Sequence, residues 1–571
     1  MRKQVFAIAL FALLTTGITV SAQNAPAAGP AALTTSHFER ATNADVSPQL
    51  RDLLKNQPSL FGELLSLHEA PVRQHPKLMQ QLQYAAAAGN DDGTEALISD
   101  PVAQTVVTPT LAPASVGINV LGVGVGFPGY TVPDAPTDVN IAVGDTQVVQ
   151  WVNVSYAVFD KTTGTALTGP ILGNTLWTGF PGRCAGSNSG DIIVLWDKLA
   201  HRWVMMQPVF SSPFKTCFAI SQTSDALGAW NRYEFPQNAG FPDYPKIGIW
   251  IDGYYQSNNI FNAAGTAYLG AQPCAYNRTK MLAGDPSAEQ ICILDNSNGT
   301  LFDDSFLPAD IDTPASLPPA GTPEVFLGSI DNFSSDTHLY EYTMAVNWTA
   351  LTGTLTGING ATPITVPSYV GACNFGSTAC IPQAGVTGRT NQLDSLGDRL
   401  MYRLVYHNSG MALNRYNSFL VSHAVTNNGV SAERWYELRS TGAKPTVLSL
   451  YQSGTYAPDN TYRFMGSLAM DKKGNIIFAY SRSSSTLHPD IYFASRAPGD
   501  ALGTLGPESA IINQTVATGS QSDTSNRWGD YTSMSLDSDG CTMWYTNQYY
   551  TTNTRFAWST RVASLKAAGC Q

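Results

Sequence analysis

The sequence has few charged residues and no cluster of positive ones. Asp, Glu, Lys and Arg make up only 13% of its 571 residues, and 43 acidic side chains against 32 basic ones give a formal net charge of -11. The lysines and arginines are scattered along the chain, whereas nucleic acids and anionic membranes bind concentrated positive surfaces. We therefore expect neither nucleic acid nor an anionic membrane as a partner.

Long apolar runs are also missing, except for one near the N-terminus. Arg2 and Lys3 precede an apolar run over residues 5–14, and residues 20–22 offer a small-residue cleavage site before Gln23. This three-part pattern is typical of a secretory signal, and the run is too short to span a membrane. We predict a signal peptide over residues 1–22 and a secreted protein, extracellular or periplasmic, with no membrane span. A retained N-terminal anchor is the alternative.

The 8 cysteines include no C-x-x-C pair, which argues against zinc-knuckle and thioredoxin-like sites. In an oxidising compartment an even number of cysteines predicts structural disulfides. We expect sequential pairing, because each such pair closes a local loop within one stretch of strands. The expected pairs are Cys184–Cys217, Cys274–Cys292, Cys373–Cys380 and Cys541–Cys570.

Motifs for a cofactor or a serine nucleophile are likewise missing. Residues 124–129 match G-x-G-x-x-G in letters, but Pro128 and the extended sequence after it exclude the helix that would hold a pyrophosphate. Residues 186–190 have the frame of a nucleophile elbow with Asn188 in place of Ser. The sequence has no H-E-x-x-H motif and no P-loop, so we predict no cofactor.

What the sequence has in abundance is Gly, Tyr, Thr, Ser and Asn, a composition that suits strands and turns. Helical patterns, such as those at residues 49–54 and 78–82, are confined to the N-terminal segment. From about Thr105 onward, short apolar runs are separated by Gly, Pro, Asn and Asp, which is the all-β pattern. We predict a linker and partly helical segment over residues 23–104 and an all-β domain over residues 105–571.

A repeated unit runs through the all-β domain: a polar residue, an apolar strand, an Asp/Gly turn and an aromatic-rich strand. Its copies start near residues 138, 191, 243, 324, 398, 463 and 530. This spacing is on the scale of propeller blades, and closing such units into a ring removes exposed sheet edges. We predict a single seven-bladed β-propeller. Six or eight blades, and two β-sandwich domains side by side, are the alternatives.

Several stretches resemble a family of secreted bacterial proteins that has no assigned activity. They are GNTLW (173–177), DKLAHRW (197–203), DYPK (243–246), DRLMYR (398–403), RWYELR (434–439), GTYAP (454–458) and RWGDY (527–531). The resemblance covers about residues 126–550. It implies a β-propeller fold and secretion, and it supplies no catalytic residues.

A second, looser resemblance is to the sialidase superfold. Residues 535–544 look like an Asp-box with one extra residue, and in that motif the carboxylate caps backbone N–H groups of a hairpin turn. The sequence lacks the Phe/Tyr-Arg-Ile-Pro motif that sialidases carry near their start. The likeness therefore implies a structural turn and not a specific reaction.

If the repeat starts mark innermost strands, their polar residues gather at one mouth of the central channel. The candidate catalytic residues are Asp138, Asp191, Asp243, Asp398, Arg399, Arg463, Arg527 and Asp530, with Lys246, Tyr244, Tyr462 and Tyr531 close by. Paired carboxyl groups can act as acid and base on a glycosidic bond, and an arginine cluster can hold the carboxylate of an acidic sugar. Tyrosines can stack on sugars or serve as base or nucleophile.

Other roles for the same residues are open. An Asp at the start of an inner strand can lock neighbouring blades together, with Arg as its countercharge. Asp138, Asp191 and Asp398 could also share a calcium ion, although no consecutive acidic loop supplies the six to eight oxygens that calcium needs.

The leading function hypothesis is a secreted glycan hydrolase or lyase, sialidase-like, that works at the channel mouth on polysaccharide or glycoprotein. The alternative is a non-catalytic binding or adhesion propeller at the cell surface or matrix, which the absence of a clean catalytic motif favours. Propellers host both kinds of function. We expect a monomer in either case.

Overall fold

The computed structural model describes residues 31–33, 35–55, 68–69, 97–295, 304–312, 317–329, 335–358, 362–373, 379–408, 416–441, 447–522 and 526–571. The predicted signal peptide and the helical pattern at residues 78–82 lie outside these ranges and stay predictions. None of the described helices is long and apolar enough to cross a membrane.

The N-terminal part of the described chain forms short elements that precede the main sheets. These are β1 (Ala31–Leu33), β2 (His37–Arg40), β3 (Asn43–Val46), α1 (Leu50–Lys55), β4 (His68–Glu69), β5 (Ala103–Gln104), β6 (Ala114–Leu121) and β7 (Asp134–Ala135). Helix α1 confirms the helical pattern predicted at residues 49–54.

The described strands that follow form four-stranded antiparallel units in which consecutive strands pair. Unit 1 has β8 (Asn140–Val143), β9 (Gln147–Val152), β10 (Ser155–Asp160) and β11 (Ala166–Leu172). Unit 2 has β12 (Ile193–Asp197), β13 (Arg202–Val209), β14 (Lys215–Ser221) and β15 (Trp230–Pro236). Unit 3 has β16 (Phe241–Ile249), β17 (Tyr254–Phe261), β18 (Tyr268–Tyr276) and, after the short helix α2 (Arg278–Ala283), β19 (Glu289–Cys292).

The remaining units continue this pattern. Unit 4 has β20 (Leu307–Ile311), β21 (Glu324–Ser329), β22 (Asp336–Asn347) and β23 (Thr352–Ile358), with β24 (Thr362–Tyr369) also paired to β22. Unit 5 has β25 (Met401–Asn408), β26 (Tyr416–Asn427), β27 (Val430–Thr441) and β28 (Ser449–Tyr456). Unit 6 has β29 (Tyr462–Met470), β30 (Ile476–Ser484), β31 (Leu487–Arg496) and β32 (Ser509–Ile512). Unit 7 has β33 (Ser533–Leu536), β34 (Thr542–Tyr549), β35 (Ser559–Ala567) and the N-terminal strand β6.

The first strands of the units lie innermost and close a ring. Each contacts the first strand of the next unit, and β33 contacts β8. Between units 4 and 5 the contact is close enough for β20 and β25 to pair in parallel. The predicted all-β propeller fold is confirmed, and the strand pairings in the described residues give seven units.

The outer edges of several units are covered by the N-terminal strands. Strand β1 pairs with β23, β2 with β19 and β3 with β15, while β5 pairs with β28. Covering an edge strand blocks unwanted pairing with other chains. The boundary predicted at residue 104 stays a prediction, and part of the segment before it forms strands as well as α1.

Each blade buries both faces against its neighbours, so many of its strands are buried throughout, including their polar residues. Strands β9, β17 and β25, for example, are buried along their whole lengths. Trp196, Trp203, Trp250 and Trp544 are all buried, as core packing between blades predicts. All four predicted disulfides are present.

A left-handed residue marks the start of most inner strands. Its φ is 45° at Asp138, 48° at Asp191, 52° at Tyr244, 54° at Met465 and 58° at Asp530. In units 1, 2, 3 and 6 the strand ladder begins or resumes two residues later. Because Asp is one of the few residues that enters this region readily, the kink explains the aspartates of units 1, 2 and 7.

One predicted repeat start is wrong. The copy near residue 324 belongs to β21, the second strand of unit 4, whereas the first strand is β20. Ser305, with a φ of 50°, is the left-handed residue of that unit and lies two residues before β20. Both strands are short buried apolar runs, so the apolar pattern alone could not order them.

Candidate functional site

The starts of the inner strands bring a set of charged and aromatic side chains together at one face of the ring. We call this set the mouth cluster. It consists of Asp138, Asp191, Asp243, Tyr244, Lys246, Asp394, Asp398, Arg399, Arg527, Asp530 and Tyr531. The cluster crosses the ring, because the rings of Tyr244 in unit 3 and Tyr531 in unit 7 lie 5.5 Å apart, centroid to centroid.

Lys246 is at the centre of the cluster. Its Nζ lies 3.7 Å from the ring centroid of Tyr244 and 3.5 Å from that of Tyr531, and it donates to the carbonyl of Pro245 at 3.0 Å. Only 1% of the residue is exposed, and burial lowers the pKa of Lys246 to about 7. The two rings stabilise the ammonium through cation–π contacts, and the charges of Asp191 and Asp138 favour its protonated form.

Asp138 and Asp191 flank this lysine. Asp138 is 2% exposed, its Oδ2 accepts from Asn153 at 3.2 Å, and no described residue donates to its Oδ1. Burial, together with the charge of Asp191, raises the pKa of Asp138 well above its ordinary value. Asp191 is half-buried and accepts a 3.3 Å hydrogen bond from the hydroxyl of Tyr531.

Asp191 titrates near neutrality. Burial and the neighbouring charge of Asp243 raise the pKa of Asp191 to about 6, while Lys246 and Arg527 act in the opposite direction. A carboxyl group with such a pKa holds its proton in weak acid and releases it near neutral pH, which is the property required of a general acid or base.

Asp394 belongs to the cluster and was not predicted from the sequence. It lies in the connection before β25, and its carboxylate accepts from the Leu396 amide at 3.0 Å. Burial and the charge of Asp398 raise the pKa of Asp394 to about 7. The only signal in the sequence is its position four residues before Asp398, outside the repeat that identified the other acids.

Both arginines of the cluster are held by carboxylates of their own units. Arg399 contacts Asp398 through Nε–Oδ1 at 2.8 Å and Nη2–Oδ2 at 2.5 Å, and Arg527 contacts Asp530 through Nε–Oδ2 at 3.0 Å. The Arg399 guanidinium also lies 4.6 Å from the ring centroid of Tyr244. Arg399, in unit 5, thus contacts a side chain of unit 3, and the prediction that these arginines help to lock blades together stays a prediction.

Arg463 does not join the mouth cluster. It is fully buried in unit 6, where its guanidinium contacts Glu508 at 2.8 Å and Asp459 at 3.0 Å. The neighbouring Tyr462 donates to the carbonyl of Gly429. The reason is an offset in the repeat: Met465, two residues later, occupies the left-handed position that Asp138 occupies in unit 1.

A second set of charges lies deeper in the ring, and we call it the channel network: Lys198, Asp310, Asp312 and Arg403. Lys198 Nζ lies 2.5 Å from Asp312 Oδ1, and Arg403 contacts Asp312 at 2.7 Å and Asp310 at 3.1 Å. Arg403 Nη1 also donates to the carbonyl of Met534 in unit 7 at 2.9 Å. These contacts join units 2, 4, 5 and 7, so the network ties blades together across the ring. The sequence did not predict it.

The Asp-box has the turn structure that its likeness implies. Asp539 Oδ1 accepts from the amides of Cys541 and Thr542, both at 2.7 Å, and Trp544 Nε1 donates to Asp537 Oδ2. The proposed calcium ion gains no support, since the described residues contain no group of three or more His, Cys, Asp or Glu side chains that could hold a metal ion.

No protein-family model and no curated protein matches this chain. Among solved structures, a protein of unknown function from Dyadobacter fermentans is 8% identical, with a TM-score of 0.33 over 79% of this chain and 99% of that one. An ulvan lyase is 10% identical, with a TM-score of 0.34 over 79% and 97%. The extracellular domains 1–2 of Drosophila semaphorin 1b are 8% identical, with a TM-score of 0.32 over 81% and 88%. Likenesses at such TM-scores carry no argument about function, so any function must be inferred from the residues of this chain.

Proposed function

We propose that the protein is a glycoside hydrolase of extracellular glycans whose acid–base chemistry takes place at the mouth cluster. The observation that carries this proposal is Asp191, a half-buried carboxyl group with a pKa raised to about 6 beside a second half-buried carboxyl group, Asp243. Two carboxyl groups in unlike environments are the machinery by which glycosides are hydrolysed.

The roles follow from the environments of the two groups. Asp191, protonated in weak acid, donates its proton to the leaving oxygen of the glycosidic bond, and the hydroxyl of Tyr531 orients the carboxyl group. Asp243, the neighbouring charge with the largest effect on Asp191, is assigned the role of base or nucleophile. Proton donation of this kind contributes about 10²–10⁴ in rate, so loss of either group removes most of the activity.

A lyase or sialidase reaction has weaker support. Both reactions act on acidic sugars, whose carboxylate needs a cationic partner such as a free guanidinium. Arg399 and Arg527 already hold Asp398 and Asp530. A hydrolase that needs no such partner fits the cluster better.

The test is a degradation screen of the purified protein against neutral, amino-sugar and uronic polysaccharides. With any substrate that is cleaved, we expect Asp191→Asn and Asp243→Asn to lower kcat by about 10²-fold or more. The activity of the wild type should fall as the pH rises above about 6, where Asp191 loses its proton. Activity that survives both substitutions would refute the assignment.

A binding or adhesion role is the second candidate. It is favoured by the internal pairing of the mouth arginines and by the position of Lys246 between two tyrosine rings, since these groups already have partners within the protein. Saturable glycan binding without any turnover, unchanged in Asp191→Asn, would favour this candidate over the hydrolase.

Export is part of the same proposal. The four disulfides are compatible with an oxidising compartment. Secretion, the monomeric state and membership of the secreted bacterial propeller family stay predictions from the sequence. Amino-terminal sequencing of the protein recovered from the medium or periplasm would test the cleavage predicted before Gln23.

A further inference from the structure

We propose that the mouth cluster selects glycans that carry free amino groups, and that it rejects glycans built from uronic or sialic acids. This inference rests on the proposed function in one respect, namely that the ligand is a glycan. It adds the charge of the sugar, which the acid–base chemistry alone does not specify.

The first observation is the charge balance of the mouth. The mouth cluster holds six carboxyl groups against three cations, namely Asp138, Asp191, Asp243, Asp394, Asp398 and Asp530 against Lys246, Arg399 and Arg527. Such an excess of carboxyl groups creates a negative potential, which attracts cationic ligands and repels anionic ones. The formal charge of the whole chain, -11, acts in the same direction.

The second observation is the carboxyl group of Asp138. It is 2% exposed, lies deeper than the half-buried Asp191, and has no hydrogen-bond donor to Oδ1 among the described residues. A buried acceptor without a partner is unfavourable, and a donor that reaches it recovers that free energy. An ammonium group is such a donor and also carries the charge that the neighbouring carboxylates attract.

A metal ion is a poorer occupant than an organic cation. Calcium needs six to eight oxygens at about 2.3–2.6 Å, and the described residues provide no group of three or more acidic or imidazole ligands so arranged. An ammonium group needs fewer and more distant acceptors, because hydrogen bonds to it span about 2.7–2.9 Å and its charge acts over longer distances. The spread of the mouth carboxylates therefore suits an amino sugar.

The test is calorimetric titration of the full-length protein at pH 7 with three oligosaccharides of equal length. They are a glucosamine oligomer with free amines, its fully N-acetylated counterpart and an oligogalacturonate. We expect the amine form to bind and the acetylated form to bind at least about tenfold more weakly. The uronate should not bind. Uronate binding as tight as that of the amine form, or no binding of the amine form, would overturn the proposal.

Variants locate the effect. Asp138→Asn replaces one carboxyl oxygen of the mouth by an amide NH2 group and should weaken binding of the amine form about tenfold. Its matched control is Asp160→Asn, which makes the same replacement in the exposed turn after β10 and should leave the affinity unchanged. If Asp138→Asn does not fold, Asp191→Asn serves in its place. Equal affinities of the mouth variant and the control would contradict the proposal.

The pH dependence of binding gives an independent readout. The amines of the ligand gain protons in the same pH range as Asp191, so the readout is the difference in affinity between the wild type and Asp191→Asn. This difference should shrink as the pH falls through about 6, because Asp191 is then protonated and the wild-type mouth loses negative charge. The charged and titratable groups that face Asp191 are Asp138, Asp243, Lys246, Arg527, Asp530 and Tyr531. A difference that is constant between pH 7 and 5 would count against the proposal.

The outcomes separate this inference from the proposed hydrolase. Selective binding of the amine form without cleavage would support the charge selection and refute the hydrolase. Cleavage of a uronic glycan that depends on Asp191 would support the hydrolase and overturn the charge selection.

Discussion

The two charged sets of this ring, the mouth cluster and the channel network, differ in how their charges are paired. In the channel network two acids face two bases, and each carboxylate has a cation within 3.1 Å. In the mouth cluster six carboxyl groups face three cations, and Lys246 has tyrosine rings for partners. Both sets cross the ring between blades that are not neighbours.

This difference distinguishes a structural role from a functional one. A buried ion pair with equal numbers of opposite charges holds its blades in place, and removing one partner leaves an uncompensated charge. Carboxyl groups crowded without enough countercharge destabilise the fold, and such groups persist where chemistry or binding needs them. The comparison therefore makes opposite predictions for substitutions in the two sets.

The largest effect is expected from Arg403→Met in the channel network. It leaves Asp310 and Asp312 buried without this cation, so the free energy of unfolding should fall by about 3–5 kcal/mol. Urea denaturation followed by tryptophan fluorescence measures the loss. Adding Asp310→Asn and Asp312→Asn should restore part of it, and a single variant as stable as the wild type would refute the structural role.

An effect of opposite sign is expected from Asp138→Asn in the mouth cluster. The asparagine can still accept from Asn153 and tolerates the left-handed backbone, while a buried carboxyl group crowded by Asp191 and Asp530 is removed. The free energy of unfolding at pH 7 should rise by about 1–2 kcal/mol. A destabilised Asp138→Asn would place Asp138 with the structural charges.

For Asp191→Asn we expect a free energy of unfolding that differs from that of the wild type by on the order of 1 kcal/mol, and the difference should depend on pH. Because the pKa of Asp191 is raised from 3.8 to about 6, the folded protein binds more protons than the unfolded chain between about pH 4 and 6. The contribution of Asp191 to stability therefore increases as the pH falls through this window. Subtracting the stability curve of Asp191→Asn from that of the wild type isolates it, and a flat difference would contradict the assigned pKa.

The smallest effect is expected from Asp398→Asn. The asparagine keeps a hydrogen-bond acceptor for Arg399, and the guanidinium keeps its contact with the Tyr244 ring, so the loss of stability should be about 1 kcal/mol or less. Stability should fall slightly in thermal denaturation, and any glycan turnover should persist. A loss of turnover equal to that of Asp191→Asn would mean that the Arg399 pair belongs to the reaction.

Much of the fold follows from local patterns in the sequence. Six of the seven repeat starts lie at first strands, because the same kink and apolar run recur there, and the four disulfides pair in sequence order. The start near 324 failed because two apolar strands of unit 4 carry similar patterns.

The candidate site was less predictable, because it depends on contacts between distant parts of the chain. Arg463 lies two residues before the left-handed position of its unit. Neither the charge pattern nor the hydropathy pattern of the sequence reveals this shift. Asp394 lies in a connection outside the repeat. The channel network joins single residues of four units, and no local pattern marks them.

The closing strand β6 has a consequence for how the chain reaches its native state. It completes unit 7 by pairing with β35, as in the hydrogen bond from the Ile118 amide to Ser564 Oγ, between residues 446 positions apart. Contacts between such distant residues form slowly, since a long loop must be ordered first. The ring therefore cannot close until the C-terminal strands have been synthesised, and if the chain is exported, closure follows translocation.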